Sequence, residues 1–187
     1  MTPAVQPEPR LSTIPPIWLF TDSTRLPNPI PAATRLPKGR AGIVFRHDAA
    51  PNRAAIGKDL GQIRRARRLI LVVAGDSGLA AKLHAGVHLR AGRWPNQLRT
   101  RGFVTSSAHN AADLHRAAKA GADLVFLSPV FPTASHPNAP VLGPMRWAAL
   151  ARKSRIPVAP LGGIDAKTIR RLPRRYRHVM GAIGALR

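Results

Sequence analysis

The chain has 187 residues, with 30 Lys+Arg against 8 Asp+Glu and a formal net charge of +22. Its 44% hydrophobic content supplies a core for about one domain and argues against wholesale disorder. Cysteine is missing, which excludes disulfides, thiolate metal sites and cysteine nucleophiles.

Residues 1–16 hold five prolines and no apolar stretch after a basic start. They read as a flexible Pro-rich tail rather than a signal peptide. The longest apolar run, Leu69 to Ala74, is strand-sized and far below the ~18–20 residues of a membrane span. The expected location is therefore cytoplasmic, with no membrane partner. From residue 17 onward short apolar runs alternate with helical patterns. Ile17–Phe20 and Gly42–Phe45 read as strands, and Pro27, Pro29, Pro31 and Pro37 between them forbid a regular long helix. Apolar positions 56, 60 and 63 in Ala54–Arg68 make an amphipathic helix. Leu69–Val73 is a strand, Gly78–His84 a short helix, Gly86–Leu89 a strand, and 90–102 leaves space only for a short fourth helix. Strand Phe103–Thr105 precedes helix Ala111–Ala120, which Gly121 stops. Leu124–Leu127, helix Pro144–Lys153, Val158–Leu161, helix Lys167–Leu172 with Asp165 as N-cap, and His178–Ile183 complete the series.

Eight short strands, apolar on both faces and alternating with helices, predict a parallel sheet closed as a (β/α)8 TIM barrel over 17–187. An open doubly wound sheet is the alternative. Such a barrel typically takes ~200 residues or more, so helices one, four and eight are expected to be reduced or absent.

Ligands in such barrels bind at the C-terminal ends of the strands, with phosphate often held after strands seven and eight. Gly162-Gly163-Ile164-Asp165 follows strand seven there, ahead of a helix start whose N–H groups suit an anion. An ordinary turn is the competing reading. Gly181 and Gly184 sit at strand eight. After strand six, the loop Ser128 to His136 offers Thr133 and Ser135, two apart, with three prolines to stiffen it. No histidine pair has metal-site spacing. Asp22 after strand one is placed either for the site or to cap its turn. His47-Asp48 after strand two reads as a surface loop pair, with a local acid–base pair as the lesser alternative.

These motifs resemble the thiamine phosphate synthase and TenI-like family: Gly-Val-His-Leu (86–89), Ser-Pro-Val-Phe-Pro-Thr (128–133), Leu-Gly-Gly-Ile (161–164), and the strand-five region Val104–Ala118 with Ser107 and His109. The resemblance implies joining a pyrimidine-methyl diphosphate to thiazole phosphate, with release of diphosphate and Mg2+ as cofactor. It implies catalytic roles for Arg46, Ser107 and His136. Diphosphate contacts fall to Arg46, Thr133 and Ser135, and the thiazole-phosphate pocket to Gly162, Gly163, Ile183 and Gly184. At other positions the chain departs from the family. Val44 stands at the pyrimidine-contacting glutamine, Asp48 at a diphosphate lysine, and His136 at the lysine after the threonine pair. Ala74-Gly75 stands at an Asn-Asp pair, which leaves Asp76 as the metal carboxylate. Arg93 stands at the second metal aspartate, where a guanidinium would meet diphosphate oxygens directly. The tautomerase histidine is Pro129.

The charge supports a second class of function, a non-catalytic basic barrel that binds a phosphorylated ligand or a polyanion such as nucleic acid. The basic clusters Arg64–Arg68 and Arg170–Arg177 favour it. With 24 Arg against 6 Lys, a codon bias toward arginine accounts for the same excess. Aromatics are only 5%, too few for the stacking platforms of single-strand binders.

Overall fold

The computed structural model describes residues 14–90, 102–133 and 140–182. Within them lie eight strands: β1 Ile17–Phe20, β2 Ala41–Phe45, β3 Ile70–Ala74, β4 Gly86–Leu89, β5 Val104–Ala108, β6 Leu124–Leu127, β7 Val158–Pro160 and β8 Met180–Ala182. All neighbouring pairs are parallel, in the order β7-β6-β5-β4-β3-β2-β1-β8. The sheet therefore curls into a nearly closed barrel with β7 and β8 meeting at the seam. This is the (β/α)8 architecture that the alternation predicts.

The helices are α1 Ile30–Arg35, α2 Arg53–Arg67, α3 Ser77–Lys82, α4 Ala111–Lys119 and α5 Gly143–Arg152. The first helix is reduced, as expected, to the six residues of α1, and it forms among the prolines because Pro31 falls at its start, where a missing N–H costs nothing. It ends at Leu36, which is extended ahead of Pro37. One expectation needs correcting: the helix expected over Lys167–Leu172 is instead a 3-10 turn, Thr168–Arg171, followed by a second one at Arg174–Tyr176. Most of the segment assigned to helix four, and all of helix eight, lie outside the described residues.

Strand periodicity of two splits the core into two layers. Trp18, Phe20, Val44, Val72, Leu124, Phe126, Ala159 and Leu161 fill the barrel interior. Leu19, Ile43, Phe45, Leu71, Val73, Val125, Leu127 and Trp147 pack between strands and helices. Gly42 lies in register with Trp18, and a Cβ on it would come within 2.4 Å of the indole. That glycine is what lets a tryptophan into so narrow a barrel. Ile14, which the sequence places in the tail, is buried against the interior layer, and the Trp18 Nε1–H donates to the Pro15 carbonyl at 2.9 Å. The floor is thereby sealed, leaving the C-terminal strand ends as the open mouth.

Candidate active site

Every strand from β1 to β4 delivers a charged residue just past its C-terminal end: Asp22, Arg46, Asp76 and Arg90. Phe20 lies beneath them, edge-on to His88 at 5.7 Å and to Phe126 at 4.7 Å, with the Arg46 guanidinium 5.4 Å above its ring. Arg46 is fixed from three sides. Its backbone N–H donates to the Thr21 hydroxyl at 2.9 Å, its Nε–H to the Thr21 carbonyl at 3.2 Å, and its Nη2 to Asp22 Oδ2 at 3.2 Å. Burial pulls this guanidinium below its usual pKa, against the attraction of Asp22.

Asp22 caps the turn after β1 and also pairs with Arg46. Its Oδ1 accepts from the backbone N–H groups of Thr24 and Arg25, and its Oδ2 from Arg25 and Arg46. Burial raises its pKa, but the hydrogen bonds and charge of Arg25 outweigh that and hold it below the usual carboxylate value.

His47 and Asp48 do not form a surface pair. His47 is buried, stacked on Phe45, with Nδ1 2.9 Å from the Thr21 hydroxyl. Its Nε2 faces the carbonyls of Leu26 and Pro27 at 3.2 and 3.3 Å. Nε2 therefore carries the proton, and Nδ1 accepts from Thr21. The side chain pins the 21–27 loop. Asp48 turns the other way, to Arg53 at 3.1 Å and to Arg90.

Arg53 opens α2 and reaches across the β2–β3 seam. Its Nη2 donates to the Ala74 carbonyl at 2.7 Å, and its Nη1 lies 3.6 Å from Asp76 Oδ2. Its Nε is buried with no hydrogen-bond partner among the described residues, a burial that typically costs ~1–3 kcal/mol. The other oxygen of Asp76 caps α3 by accepting from the Leu79 N–H at 2.8 Å. Both oxygens of Asp22, Asp48 and Asp76 are thus engaged by guanidinium or backbone N–H. No group of three metal-ligating side chains stands together among the described residues.

His88 closes the mouth from below. Its Nδ1 lies 2.8 Å from Thr105 Oγ1 and its Nε2 2.9 Å from Ser107 Oγ, so Ser107 is held at the inner rim of β5. Burial, together with the charges of Arg46 and Arg90, pushes His88 down to about 3, so it is neutral. On the far side, the His109 Nδ1–H donates to the Ser128 carbonyl at 2.8 Å and ties β5 to the loop carrying Thr133.

Gly162 and Gly163 have φ of +88° and +64°. A Cβ on Gly163 would lie 2.5 Å from the Pro132 carbonyl oxygen, and one on Gly162 2.9 Å from Pro129 Cα. The 129–133 loop is laid directly on the glycine turn, with Phe131 N–H donating to the Gly162 carbonyl at 3.1 Å. The free N–H donors expected after this turn are in part taken. Those of Lys167 and Thr168 both donate to Asp165. Arg171 lies 4.9 Å over the Phe131 ring and brings a positive charge to this side.

Of the residues singled out from the sequence, Arg46, Asp76, Ser107, Thr133, Gly162 and Gly163 are described, and all belong to loops or strand ends on this one face. Arg93, Ser135, His136, Ile183 and Gly184 lie outside the described residues. Val44, which the resemblance sets where the family has a glutamine, is fully buried among Trp18, Phe20 and Val72. Arg53 and Arg90 escaped the sequence reading, although Arg90 directly follows a strand, the signal that drew attention to Asp22.

A family model described as thiamine monophosphate synthase matches residues 27–180. The chain belongs to that family. It is 32% identical over 120 residues to a putative thiamine-phosphate synthase 2 of Aquifex aeolicus, across 62% of this chain and 64% of that protein. It is 32% identical over 151 residues to the thiamine-phosphate synthase of Levilactobacillus brevis, across 73% of this chain and 70% of that one. Among solved structures, thiamine phosphate pyrophosphorylase from Pyrococcus furiosus superimposes with a TM-score of 0.78 at 25% identity, across 94% of this chain and 89% of that one. An aldolase from Legionella pneumophila shares the fold alone, at a TM-score of 0.58 and 13% identity over 90% of this chain and 83% of that one. The family's barrel is thus the frame on which the arginine-rich mouth sits. No helix among the described residues is long and apolar enough to cross a membrane.

Proposed function

We propose that this family member is a transferase of the thiamine phosphate synthase type, acting on small phosphorylated substrates. The observation that carries the reading is Arg46, pinned by Thr21 and Asp22 over Phe20, on the same barrel end as Ser107, Thr133 and the Gly162–Gly163 turn. In the reaction, the bond between the pyrimidine methylene carbon and the diphosphate oxygen breaks, with its electron pair leaving on diphosphate. The thiazole ring nitrogen then donates its lone pair to that carbon. Negative charge grows on the departing diphosphate, so a preorganised cation beside it lowers the barrier. Arg46 supplies that charge without having to reorganise. Ser107, held by neutral His88, offers a hydroxyl at the rim where the two rings meet. The Gly162–Gly163 turn and the Arg171 charge suit the thiazole phosphate.

A second reading, binding without turnover, is favoured by Val44 and Asp48 at the family's pyrimidine and diphosphate positions. In that form the barrel holds a phosphorylated ligand or, through its basic surface, a nucleic acid. Part of that surface is engaged within the chain, since Arg67 donates to the Leu36 carbonyl and Arg177 to those of Leu172 and Arg170.

The test is purified protein with both precursors, with and without Mg2+, followed by detection of thiamine phosphate. Product formation is the expected result. Binding of thiazole phosphate without product supports the second reading. Steeply salt-dependent RNA binding that survives Arg46→Ala, with no thiazole phosphate binding, points to the polyanion form.

A further inference from the structure

Mg2+ takes oxygen ligands, usually one or two carboxylates besides water and substrate phosphate. The carboxylates at this mouth do not fit that need, because each lies against one or two guanidiniums: Asp22 against Arg25 and Arg46, Asp48 against Arg53 and Arg90, and Asp76 against Arg53, whose charges repel a divalent cation. Gly75, at the end of β3, has φ +67° and carries no side chain. The Arg90 guanidinium lies over it, 3.4 Å from where a Cβ would stand. A cation therefore covers the end of β3.

We infer that Arg53 and Arg90, gathered on Asp48 and flanked by Arg46, form the diphosphate site of this chain in the place of a divalent cation, with Asp48 as a resident counter-ion that the diphosphate displaces. This inference rests on the mouth being the phosphorylated-substrate site. Carboxylate and phosphate oxygens are interchangeable partners for the guanidinium fork. Asp48 thus shows where a phosphate oxygen would sit, between Arg53 Nη2 and Arg90 Nη2. The exchange is sterically simple. The side chains of Asp48 and Arg90 are 39% and 52% exposed, so both can rotate into solvent. Four guanidiniums (Arg25, Arg46, Arg53, Arg90) face three carboxylates (Asp22, Asp48, Asp76), leaving one net positive charge even before Asp48 moves. Once it has moved, the charges of Arg53 and Arg90 are available to a polyanion that brings no metal.

Calorimetric titration of the full chain with inorganic diphosphate, in EDTA and then in Mg2+, tests this. Binding is expected in EDTA. Asp48→Asn should tighten it about tenfold by removing the competing anion, and Arg90→Ala should weaken it at least about tenfold. Both positions are surface-exposed, and circular dichroism of each variant checks that it is folded. Binding that requires Mg2+, or an Asp48→Asn variant that binds no tighter than the parent, overturns the inference. If diphosphate fails to bind in either buffer while thiazole phosphate still binds, the inference falls and the proposed function stands. If neither ligand binds, both fall.

Discussion

The Ser107 hydroxyl lies 2.9 Å from Nε2 of His88, a histidine sealed inside the barrel. Its other nitrogen meets Thr105 at 2.8 Å, directly across the β4–β5 ladder. A neutral imidazole donates from one nitrogen and accepts at the other, so it donates to one of these hydroxyls and accepts from the other. Burial keeps it neutral.

A pH dependence of stability follows. The folded His88 titrates at about 3, whereas an unfolded histidine titrates near ~6.5. Between those values the unfolded chain binds the extra proton. Stability from this group is full above ~6.5 and declines as pH falls, at up to ~1.4 kcal/mol per pH unit. Urea unfolding from pH 7 to 4.5 should show that slope. His88→Gln should lose most of it and start from a lower stability, because the replacement packs poorly beside Phe20 and Phe126.

Asp22 acts in a more acid range. Its folded pKa is depressed, so its contribution is present above the unfolded carboxylate value of ~3.9 and is lost as pH falls through the lower folded value. Asp22→Asn should cost about 1–3 kcal/mol at pH 7, the range for losing charged hydrogen bonds. The gap between variant and parent should close below pH 4, as read by chemical denaturation at each pH.

Arg46→Ala should reduce the rate of thiamine phosphate formation by roughly 10²–10³, the effect of removing one preorganised charge-stabilising group. Arg46→Lys should recover only part of the loss, since a single ammonium cannot meet Thr21 and Asp22 while facing an anion. Single-turnover rates separate this from weaker binding.

Gly163→Ala is expected to destabilise the fold by more than ~2 kcal/mol, through its positive φ and the 2.5 Å approach to the Pro132 carbonyl oxygen. Gly39→Ala is the control. It has φ +71° but nothing within 4 Å of its Cβ position, so only the conformational cost of ~1 kcal/mol remains. Thermal unfolding of the pair separates strain from crowding.

Runs such as Leu69–Ala74 and Leu124–Leu127 carry the barrel in plain view, since only a sheet covered on both faces needs strands apolar on both sides. The order of mouth loops is legible in the same way, since Thr133 lies in the loop after β6 and Gly162–Gly163 just past β7, whereas Arg46 and Ser107 are singled out only by the family resemblance. Pro31 permits α1 only because it starts the helix, and the turn at Thr168–Arg171 stays 3-10. What tertiary structure alone decided is which charge meets which. Asp48 and Arg90 are 42 positions apart, and Arg53 meets Asp76 only because α2 begins at the β2–β3 seam. Hydrophobic periodicity is a property of neighbours along the chain, and a closed barrel forms from it. An ion pair between strand ends depends on the curvature of the closed sheet, which no local pattern records.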